Sequence, residues 1–400
     1  MTPGAIRILT LTTLFPNAAR PEHGVFVETR LRHLVGSGEV RAEVVAPIPF
    51  FPITRRFFAR LRQDEAAPDL ETRFGLRVHH PRYPLVPKVS MHAAPFILAR
   101  CARARVEAIM RAGGHFDAID AHFFYPDGVA AALVGRALGK PVVITARGTD
   151  VNLTPKHPGP RRMIQWAGGA AAGIVAVCAA LKERLVELGI PAEKIRVLRN
   201  GVDLERFRPI DRAHARARFA LDGPTLASVG QLIPRKGHDL VIRALRHLPD
   251  HTLLIAGAGP EEWRLGMLAR REGLADRVRF LGTVPQEGLR DVYNAADILV
   301  LASSREGWAN VLLEAMACGT PAVASRVWGT PEVVAEPPAG QLFDARTPEA
   351  IAVAVQEVTA RGIDRAATRA YAERFSWTDT TQGQIALFRE AVSAAQAMRR

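Results

Sequence analysis

Residues 297–325 read DILVLASSREGWANVLLEAMACGTPAVAS and contain two short apolar runs on either side of a helical pattern. The runs DILVLAS and TPAVAS have the length of buried strands, and the segment between them predicts a helix from about Ala309 to Cys318. Gly319 suits the end of that helix, and Pro321 follows shortly after it. Because short apolar strands separated by helices form parallel sheets covered on both faces, the stretch predicts a parallel α/β fold.

The same alternation runs through the whole chain of 400 residues. The first half contains the runs RILTLTT, AEVVAPI, FDAIDAH, PVVITA, GIVAVC and KIRVL, and the second half adds TLASVG, HTLLIAG and RVRFLG. Two such series, in a chain too long for one ordinary core, predict two doubly wound parallel-sheet domains. In open sheets of this kind ligands bind at the carboxyl ends of the strands, so we expect a ligand in the cleft between the domains.

The domain boundary is predicted at the segment RNGVDLERFRPID, where an Asn-Gly turn follows the strand that ends at Leu198. We therefore expect an N-terminal domain over residues 1–199 and a C-terminal domain over residues 200–377. The helical segment 378–400 is expected to cross back and cover the first domain.

The charge of the chain is unevenly distributed. The formal net charge is +13, and residues 1–200 hold 28 lysines and arginines against 16 aspartates and glutamates, so nearly all of the excess lies in the first half. Solvated arginines on an ordinary surface explain part of the total but not this imbalance. It indicates an anionic partner, such as a phospholipid surface, a phosphorylated acceptor or nucleic acid. With 6% aromatic residues and no recognised nucleic-acid module, nucleic acid is not an expected partner.

Several features bear on location. The three cysteines, Cys101, Cys178 and Cys318, are far apart and match no zinc spacing, which favours a reducing compartment. The first strand-like run begins close to the start of the chain, which argues against a secretory signal, and the uncharged stretch 166–181 is shorter than the roughly 20 residues that span a bilayer. Residues 49–62, PFFPITRRFFARLR, suit an anionic membrane interface, with core packing of the phenylalanines as the rival. We expect a cytoplasmic protein that is peripheral at the inner face of the cell membrane.

Two glutamates near the helix start of the quoted stretch are candidates for site residues. Glu306 lies just before that start, where the helix dipole favours its charge. Glu314 lies about one turn inside, among apolar neighbours, and needs hydrogen-bond donors, which a ribose diol supplies as a pair. For a lone glutamate, a solvent-facing position at the helix edge would be the simpler interpretation. The backbone N–H groups around the start suit a diphosphate or sugar hydroxyls, and they belong to Gly307, Trp308, Ala309, Asn310 and Val311.

The segment EGWANVLLEAMACGTPAVAS, residues 306–325, resembles the Glu-x7-Glu motif of the retaining glycosyltransferases of family 4. That family has the GT-B fold of two Rossmann-like domains. The resemblance implies that Glu306 is a catalytic residue near the donor sugar and its phosphates, and that Glu314 binds the ribose. Both assignments agree with the interpretation from helix geometry and charge.

A second segment, VGQLIPRKGHDLVIRAL (229–245), is similar to the diphosphate motif of the family. The resemblance implies that Gly230 approaches the donor and that Arg235 and Lys236 neutralise the leaving diphosphate, with Lys236 the stronger candidate. Gln231 stands where the family often has an arginine, so one of the usual cations is missing or replaced. An isolated Arg-Lys pair would indicate a surface turn, but its place between a strand and a helix favours phosphate binding.

Further motifs follow at the usual spacing of the family, in LIAGAGPEEWRL (254–265) and FLGTVPQEGLRDVYNAADILVLAS. Gly257 and Gly259 would permit close approach of the backbone to the donor, and Val284 would border the nucleobase. The Gly-x-Gly turn alone is a weak signal, and it lacks the third glycine and the downstream acid of a dinucleotide site. NGVD, residues 200–203, matches the interdomain motif and implies hinge or donor-edge structure.

The first half resembles the family less strictly. Gly24, in TLFPNAARPEHGVFVETRLRHLV, resembles the glycine that touches the donor phosphate, with a glycine that merely begins a helix as the alternative. In VVITARGTDVN, Arg147 stands where many members carry a histidine, whereas Gly148 and Asp150 are kept. A guanidinium cannot act as a general base, but it can bind phosphate or a carboxylate-bearing sugar. His122 is then the histidine expected near the reaction, and a structural role is its alternative.

These resemblances imply a retaining glycosyltransferase that moves a sugar from a nucleoside diphosphate sugar, with UDP favoured over GDP, to a hydroxyl of a lipid-linked or glycan acceptor. HGVFVETRLRHL and RGTDVN look closest to bacterial enzymes of cell-surface polysaccharide assembly, of the teichuronic acid and exopolysaccharide types. No metal or other cofactor is expected, and catalysis would be mainly electrostatic. A nucleotide-sugar epimerase on the same fold and a non-catalytic nucleotide-sugar binding protein are the alternatives. The sequence indicates no oligomeric state.

Overall fold

The computed structural model describes residues 4–50, 66–84 and 91–398. The chain divides into two compact units: unit 1 comprises Met1–Leu198 and Thr378–Arg400, and unit 2 comprises Arg199–Trp377. Most of the Phe- and Arg-rich segment 49–62 lies outside the described residues, so the expectation of a membrane interface there stays a prediction.

Unit 1 contains a sheet that is parallel except at one edge. Its strands and the short pair beside the sheet are β1 (Ile6–Leu11), β2 (Val40–Val45), β3 (Ile48–Phe50), β4 (Leu70–Arg73), β5 (Leu76–His79), β6 (Arg82–Pro84), β7 (Ala118–His122), β8 (Val142–Ala146), β9 (Gly173–Ala176) and β10 (Ile195–Val197). Within the described residues the sheet has eight strands in the order β10-β9-β8-β7-β1-β2-β5-β4, and β3 pairs with β6. Apart from the last helix of the chain, the α-helices described for unit 1 are α1 (Val25–Gly36), α2 (Ala94–Arg111), α3 (Val129–Leu138), α4 (Thr149–Asn152), α5 (Pro158–Ala170) and α6 (Ala179–Glu187).

The exception at the edge has a local cause. Strands β4 and β5 pair antiparallel because only Phe74 and Gly75 connect them. Both residues have positive φ angles, 47° and 79°, as in the tight turns whose twist matches a hairpin. A two-residue connection cannot carry the chain back to form a parallel pair.

Unit 2, which is described throughout, has a wholly parallel sheet. Its strands are β11 (Thr225–Val229), β12 (Thr252–Ala256), β13 (Val278–Gly282), β14 (Ile298–Leu301), β15 (Ala322–Ser325) and β16 (Gly340–Phe343), in the order β13-β12-β11-β14-β15-β16. Its helices are α7 (Arg212–Arg218), α8 (His238–Ala244), α9 (Glu262–Arg271), α10 (Gln286–Ala295), α11 (Asn310–Ala317), α12 (Thr330–Val333), α13 (Pro348–Arg361) and α14 (Arg365–Glu373). The quoted stretch is β14-α11-β15, with β14 and β15 parallel neighbours, and the predicted pair of parallel α/β domains is confirmed.

The last helix, α15 (Trp377–Ala397), packs on unit 1. Ile385 and Phe388 are fully buried in one cluster with Val143 of β8 and Val175 of β9. No helix in the described ranges 4–50, 66–84 and 91–398 is long and apolar enough to cross a membrane.

Candidate active site

The turns that follow β11, β12 and β13 are locked to one another by backbone hydrogen bonds. The N–H of Gly230 donates to the carbonyl of Ala256 at 2.9 Å, and the N–H of Gly257 donates to the carbonyl of Gly282 at 2.7 Å. Gly257 has a φ of 145°, and a Cβ there would overlap the carbonyl oxygen of Gly230. A Cβ on Gly259 would likewise overlap the backbone of Leu232. The packing of the turns therefore requires glycine at both positions, before any ligand is considered.

Arg235, Lys236 and Glu306 converge on one point at the carboxyl ends of β11 and β14. Lys236 and Arg235 follow β11 in a short 3-10 helix, Pro234–Lys236, that leads into α8. The Nζ of Lys236 lies 2.6 Å from Oε1 of Glu306, and a guanidinium nitrogen of Arg235 lies 3.5 Å from the same oxygen. Ser303, two residues after β14, donates its hydroxyl to that oxygen at 2.7 Å. The chain thus brings together residues 70 positions apart in sequence.

Glu306 is only 8% exposed, yet its carboxylate lies beside two cations. Burial alone would raise its pKa, but the charge and hydrogen bond of Lys236, together with Ser303 and Arg235, hold the pKa below the ordinary value. The two cations outnumber the single carboxylate, so this cluster retains a net positive charge that suits a diphosphate.

Glu314 lies in α11 between Leu313 and Ala315, which are fully buried. The hydroxyl of Tyr293, from α10, donates to its Oε2 at 2.7 Å. Burial raises the pKa of Glu314 above the ordinary value, while the hydrogen bond from Tyr293 and the charge of Arg206 act in the opposite direction. The sequence predicts that Glu314 needs hydrogen-bond donors because its helix neighbours are apolar. Tyr293 is such a donor from the same chain.

The start of α11 is one residue later than the predicted Ala309. Ala309 is the N-cap residue, and its side chain cannot accept a hydrogen bond from the first-turn N–H groups of Asn310 and Val311. The Trp308 ring packs against Phe375, with centroids 6.1 Å apart, and its indole N–H is buried without a hydrogen-bond partner among the described residues. The side-chain oxygen of Asn310 accepts a hydrogen bond from Asn200, of the NGVD motif, at 3.1 Å.

Val284 lies in the turn between β13 and α10, where it is half-buried. The turn before it is fixed by the hydrogen bond that the Gly257 N–H donates to the Gly282 carbonyl. The structure thus places Val284 at the same edge of the sheet as the glycine turns.

The sequence predicts no role for His238, although it lies in the segment that resembles the diphosphate motif. Its Nδ1 lies 2.9 Å from the Ser228 hydroxyl and its Nε2 lies 3.3 Å from the carbonyl of Gln231. Burial lowers its pKa to about 4, so the ring is neutral and braces the turn that carries Gln231. A histidine at a helix start has the same sequence pattern whether it stabilises a turn or takes part in catalysis.

In unit 1 the structure brings His122 and Arg147 together. A guanidinium N–H of Arg147 donates to Nδ1 of His122 at 2.7 Å, and Nε2 of His122 lies 2.9 Å from a carboxylate oxygen of Asp120. His122 is 1% exposed, and burial lowers its pKa to about 4. Both ring nitrogens are occupied in a buried network, so the neutral His122 orients Arg147 rather than taking a proton in this arrangement. The Arg147 guanidinium also lies 5.1 Å from the centre of the Phe26 ring.

Gly24 precedes α1 with a φ of 76°, and a Cβ there would overlap the carbonyl group of Leu14. This steric requirement for glycine exists without a ligand. The beginning of a helix is therefore enough to explain why residue 24 is a glycine. Asp150 is fully buried and accepts hydrogen bonds from the backbone N–H groups of Phe124 and Gly148, each at 2.7 Å. Asp150 therefore stabilises the turns after β7 and β8 that carry His122 and Arg147.

Asp127 is fully buried beside Thr13, and we expect it to make the stability of the protein depend on pH. Burial raises its pKa to about 7, although the hydrogen bonds from the backbone and hydroxyl of Thr13 act in the opposite direction. Because an unfolded aspartate titrates near pH 4, only the folded state holds the proton between about pH 4 and 7. The stability that this group provides is therefore fully present below about pH 4 and is lost as the pH rises through about 7.

We expect Asp127→Asn to keep its packing but lose this pH dependence. Scanning calorimetry should show the midpoint of the variant rising relative to wild type by several degrees between about pH 5 and 7.5. Asp69→Asn, at an exposed carboxylate of the same unit, should show no such gain. Parallel pH profiles for wild type and Asp127→Asn would contradict the prediction.

A cavity of about 480 Å³ lies at the other end of the unit 2 sheet, lined in part by Arg216 and Arg365. These guanidinium groups donate to backbone carbonyls, including those of Gly223 and Ala296. The two arginines therefore stabilise the amino ends of the strands rather than form an open anion site. In the part of the chain that the structure describes, no group of three or more His, Cys, Asp or Glu side chains is placed to hold a metal ion.

Two family models match the chain. Glycosyltransferase Family 4 covers residues 28–206, and Glycosyl transferases group 1 covers residues 209–375. The first lies in unit 1 apart from its last residues, and the second lies wholly in unit 2.

Two curated relatives match over more than four fifths of their length. The teichuronic acid biosynthesis glycosyltransferase TuaC of Bacillus subtilis is 31% identical over 332 residues, which are 81% of this chain and 82% of that protein. The D-inositol 3-phosphate glycosyltransferase of Saccharomonospora viridis is 32% identical over 369 residues, which are 84% and 85% of the two chains.

Solved structures of glycosyltransferases share the fold at low identity. The sucrose-phosphate synthase of Thermosynechococcus elongatus has a TM-score of 0.78 and 21% identity, covering 98% of this chain and 100% of that one. Anabaena HepE, solved with UDP and glucose, has a TM-score of 0.71 and 21% identity, covering 96% and 98%. These similarities confirm the predicted GT-B fold.

Proposed function

Since this chain belongs to glycosyltransferase family 4, we propose that it is a retaining enzyme of cell-surface polysaccharide synthesis. It transfers a sugar from a nucleoside diphosphate sugar, UDP favoured and GDP possible, to a hydroxyl of a lipid-linked or glycan acceptor. The relationship to a teichuronic acid enzyme and the UDP complex of HepE support this choice of pathway type and base. The basic first half supports a peripheral position at the inner face of the cell membrane.

The observation that carries the proposal is the convergence of Lys236, Arg235 and Glu306. Lys236 lies 2.6 Å and Arg235 lies 3.5 Å from Glu306, beside a helix start that has no acceptor at its N-cap. A donor diphosphate fits this place because it brings the negative charge that the two cations and the first-turn N–H groups are suited to stabilise. Glu314, one turn further along α11, would then accept the hydroxyls of the ribose.

In the proposed reaction the acceptor hydroxyl attacks the same face of the sugar from which the diphosphate departs, and the leaving diphosphate takes the proton. Arg235 and Lys236 stabilise the negative charge that grows on the diphosphate, which lowers the barrier more than it favours the bound donor. Glu306 holds Lys236 in place and contacts the donor sugar. Two protein cations at this point support transfer without a metal ion, so activity should survive EDTA.

Binding of UDP, GDP and ADP, measured by titration calorimetry on wild type and Glu314→Ala, tests the donor site. We expect one nucleotide to bind and its affinity to fall at least about tenfold in the variant, because two hydrogen bonds to a charged group are lost. Glu357→Ala, an exposed glutamate on α13, is the matched control and should bind like wild type. Binding of none of the three nucleotides, or binding indifferent to Glu314, would contradict the proposal.

The reaction itself is tested with labelled UDP- and GDP-sugars and a membrane lipid extract as acceptor source. Label that moves from donor to lipid supports transfer. A product whose anomeric configuration, measured by NMR, is that of the donor supports a retaining mechanism. Conversion of the donor into another nucleotide sugar would indicate an epimerase, and binding without turnover would indicate a non-catalytic protein.

A further inference from the structure

Tyr293 is a fully buried tyrosine whose hydroxyl is aimed at the Glu-x7-Glu helix. It lies near the end of α10 and donates to Oε2 of Glu314 at 2.7 Å. Its ring meets Phe207 edge-on, with centroids 5.9 Å apart, and its backbone carbonyl accepts the Thr320 hydroxyl at 2.6 Å. Ring and backbone are both fixed, so the direction of the hydroxyl is fixed as well.

Glu314 has more freedom than Tyr293. It is partly exposed, whereas its neighbours Leu313 and Ala315 in α11 are fully buried. A glutamate with three rotatable bonds would sample several orientations at such a place and would lose entropy on binding a ligand. The hydrogen bond to Oε2 removes much of that freedom and leaves the acceptor positions of Oε1 for another donor.

We propose that Tyr293 is a positioning residue, which holds the Glu314 carboxylate in the orientation that accepts the two ribose hydroxyls of the donor nucleotide. The inference rests on the proposed function and adds a residue that does not touch the ligand. It accounts for a phenol placed beside a carboxylate in a buried part of α10, where an apolar side chain would fill the same space without needing a partner.

Tyr293→Phe tests this role with two ligands, the ribonucleotide that wild type binds best among UDP, GDP and ADP, and its 2′,3′-dideoxy form. The variant should bind the ribonucleotide about tenfold more weakly, because a hydrogen bond to a charged group orients the acceptor. Its affinity for the dideoxy form should equal that of wild type, because no hydroxyls reach Glu314 there. Tyr371→Phe is the matched control: Tyr371 is also buried in unit 2 and donates to the Val333 carbonyl at 3.0 Å.

A second readout separates positioning from a purely structural role. The ionisable groups that act on Glu314 or on its partner are Tyr293, Arg206 and Cys318, the C-cap residue of α11. Because the Tyr293 hydrogen bond lowers the pKa of Glu314, its loss in Tyr293→Phe should move the low-pH loss of ribonucleotide binding to higher pH. The nucleotide titrates identically in both experiments, so the difference reports the protein.

The outcomes are distinct. A tenfold ribonucleotide loss with unchanged dideoxy binding and a shifted pH profile supports the inference, and in Glu314→Ala the added Tyr293→Phe change should then have no further effect. Equal losses for both ligands, or no loss for either, overturn the role of Tyr293 while leaving the donor site intact. If wild type binds none of the three nucleotides, the proposed function fails, and the positioning role fails with it.

Discussion

Lys236→Met is expected to lower donor turnover roughly 10³-fold and to destabilise the protein by about 3 kcal/mol. The catalytic loss follows from the proposed role of Lys236, which is to supply charge where the leaving diphosphate becomes more negative. The loss of stability follows because Glu306, 9% exposed at its side chain and 2.6 Å from Nζ, is left buried without its closest cation. The thermal midpoint should fall by roughly 6–12 °C, measured by scanning calorimetry, and turnover is measured as nucleotide release.

The double variant Lys236→Met/Glu306→Gln separates the two effects. Removing both charges should restore much of the lost stability, because the introduced amide would keep the hydrogen bond from Ser303 without an uncompensated charge. Turnover should stay low, since neither the cation nor the carboxylate is recovered. A double variant as unstable as Lys236→Met would show that the charge pair is not what stabilises this corner of unit 2.

The sequence predicted strands that contain a run of apolar residues, including the edge strands Ile195–Val197 and Val278–Gly282, and missed strands without such a run. Ile298–Leu301 and Ala322–Ser325 are buried at every position, and their pattern indicates a parallel strand directly. The strands Leu70–Arg73 and Gly340–Phe343 were not predicted, because their residues alternate or are polar and lie at the edges of the sheets. A short edge strand with so few apolar residues resembles a loop in sequence.

The sequence predicted individual residues of the candidate site but not the contacts between them. Glu306 and Lys236 were each assigned to the donor from their own motifs, yet their ion pair joins segments 70 residues apart. The sequence indicates His122 and Arg147 as separate candidates, whereas one hydrogen bond of 2.7 Å makes them a single group. Tyr293 has the sequence signature of an ordinary core aromatic, so only the structure reveals its bond to Glu314.

Gly257→Ala should destabilise the protein by about 4 kcal/mol, with a fall in the thermal midpoint of roughly 8–16 °C. At a φ of 145° a side chain is strained, and the new Cβ would overlap the Gly230 carbonyl, which belongs to backbone that cannot rotate away. The turns after β11 and β12 would have to separate. Because the first of these turns leads to Arg235 and Lys236, nucleotide affinity should fall as well, and calorimetry measures both changes.

Gly266→Ala is the matched control, and its effect should have the opposite sign. Gly266 lies inside α9, and a Cβ there meets nothing within 4 Å. Alanine should therefore stabilise the helix by up to about 1 kcal/mol, raising the midpoint by roughly 2–4 °C with unchanged nucleotide affinity. The two glycines are nine residues apart and belong to the same unit, so a general sensitivity of this region to added volume would lower both midpoints. Opposite signs would show that Gly257 is required by the contact between the turns, and a loss of nucleotide affinity confined to Gly257→Ala would support the proposal that this contact positions Arg235 and Lys236 for the donor.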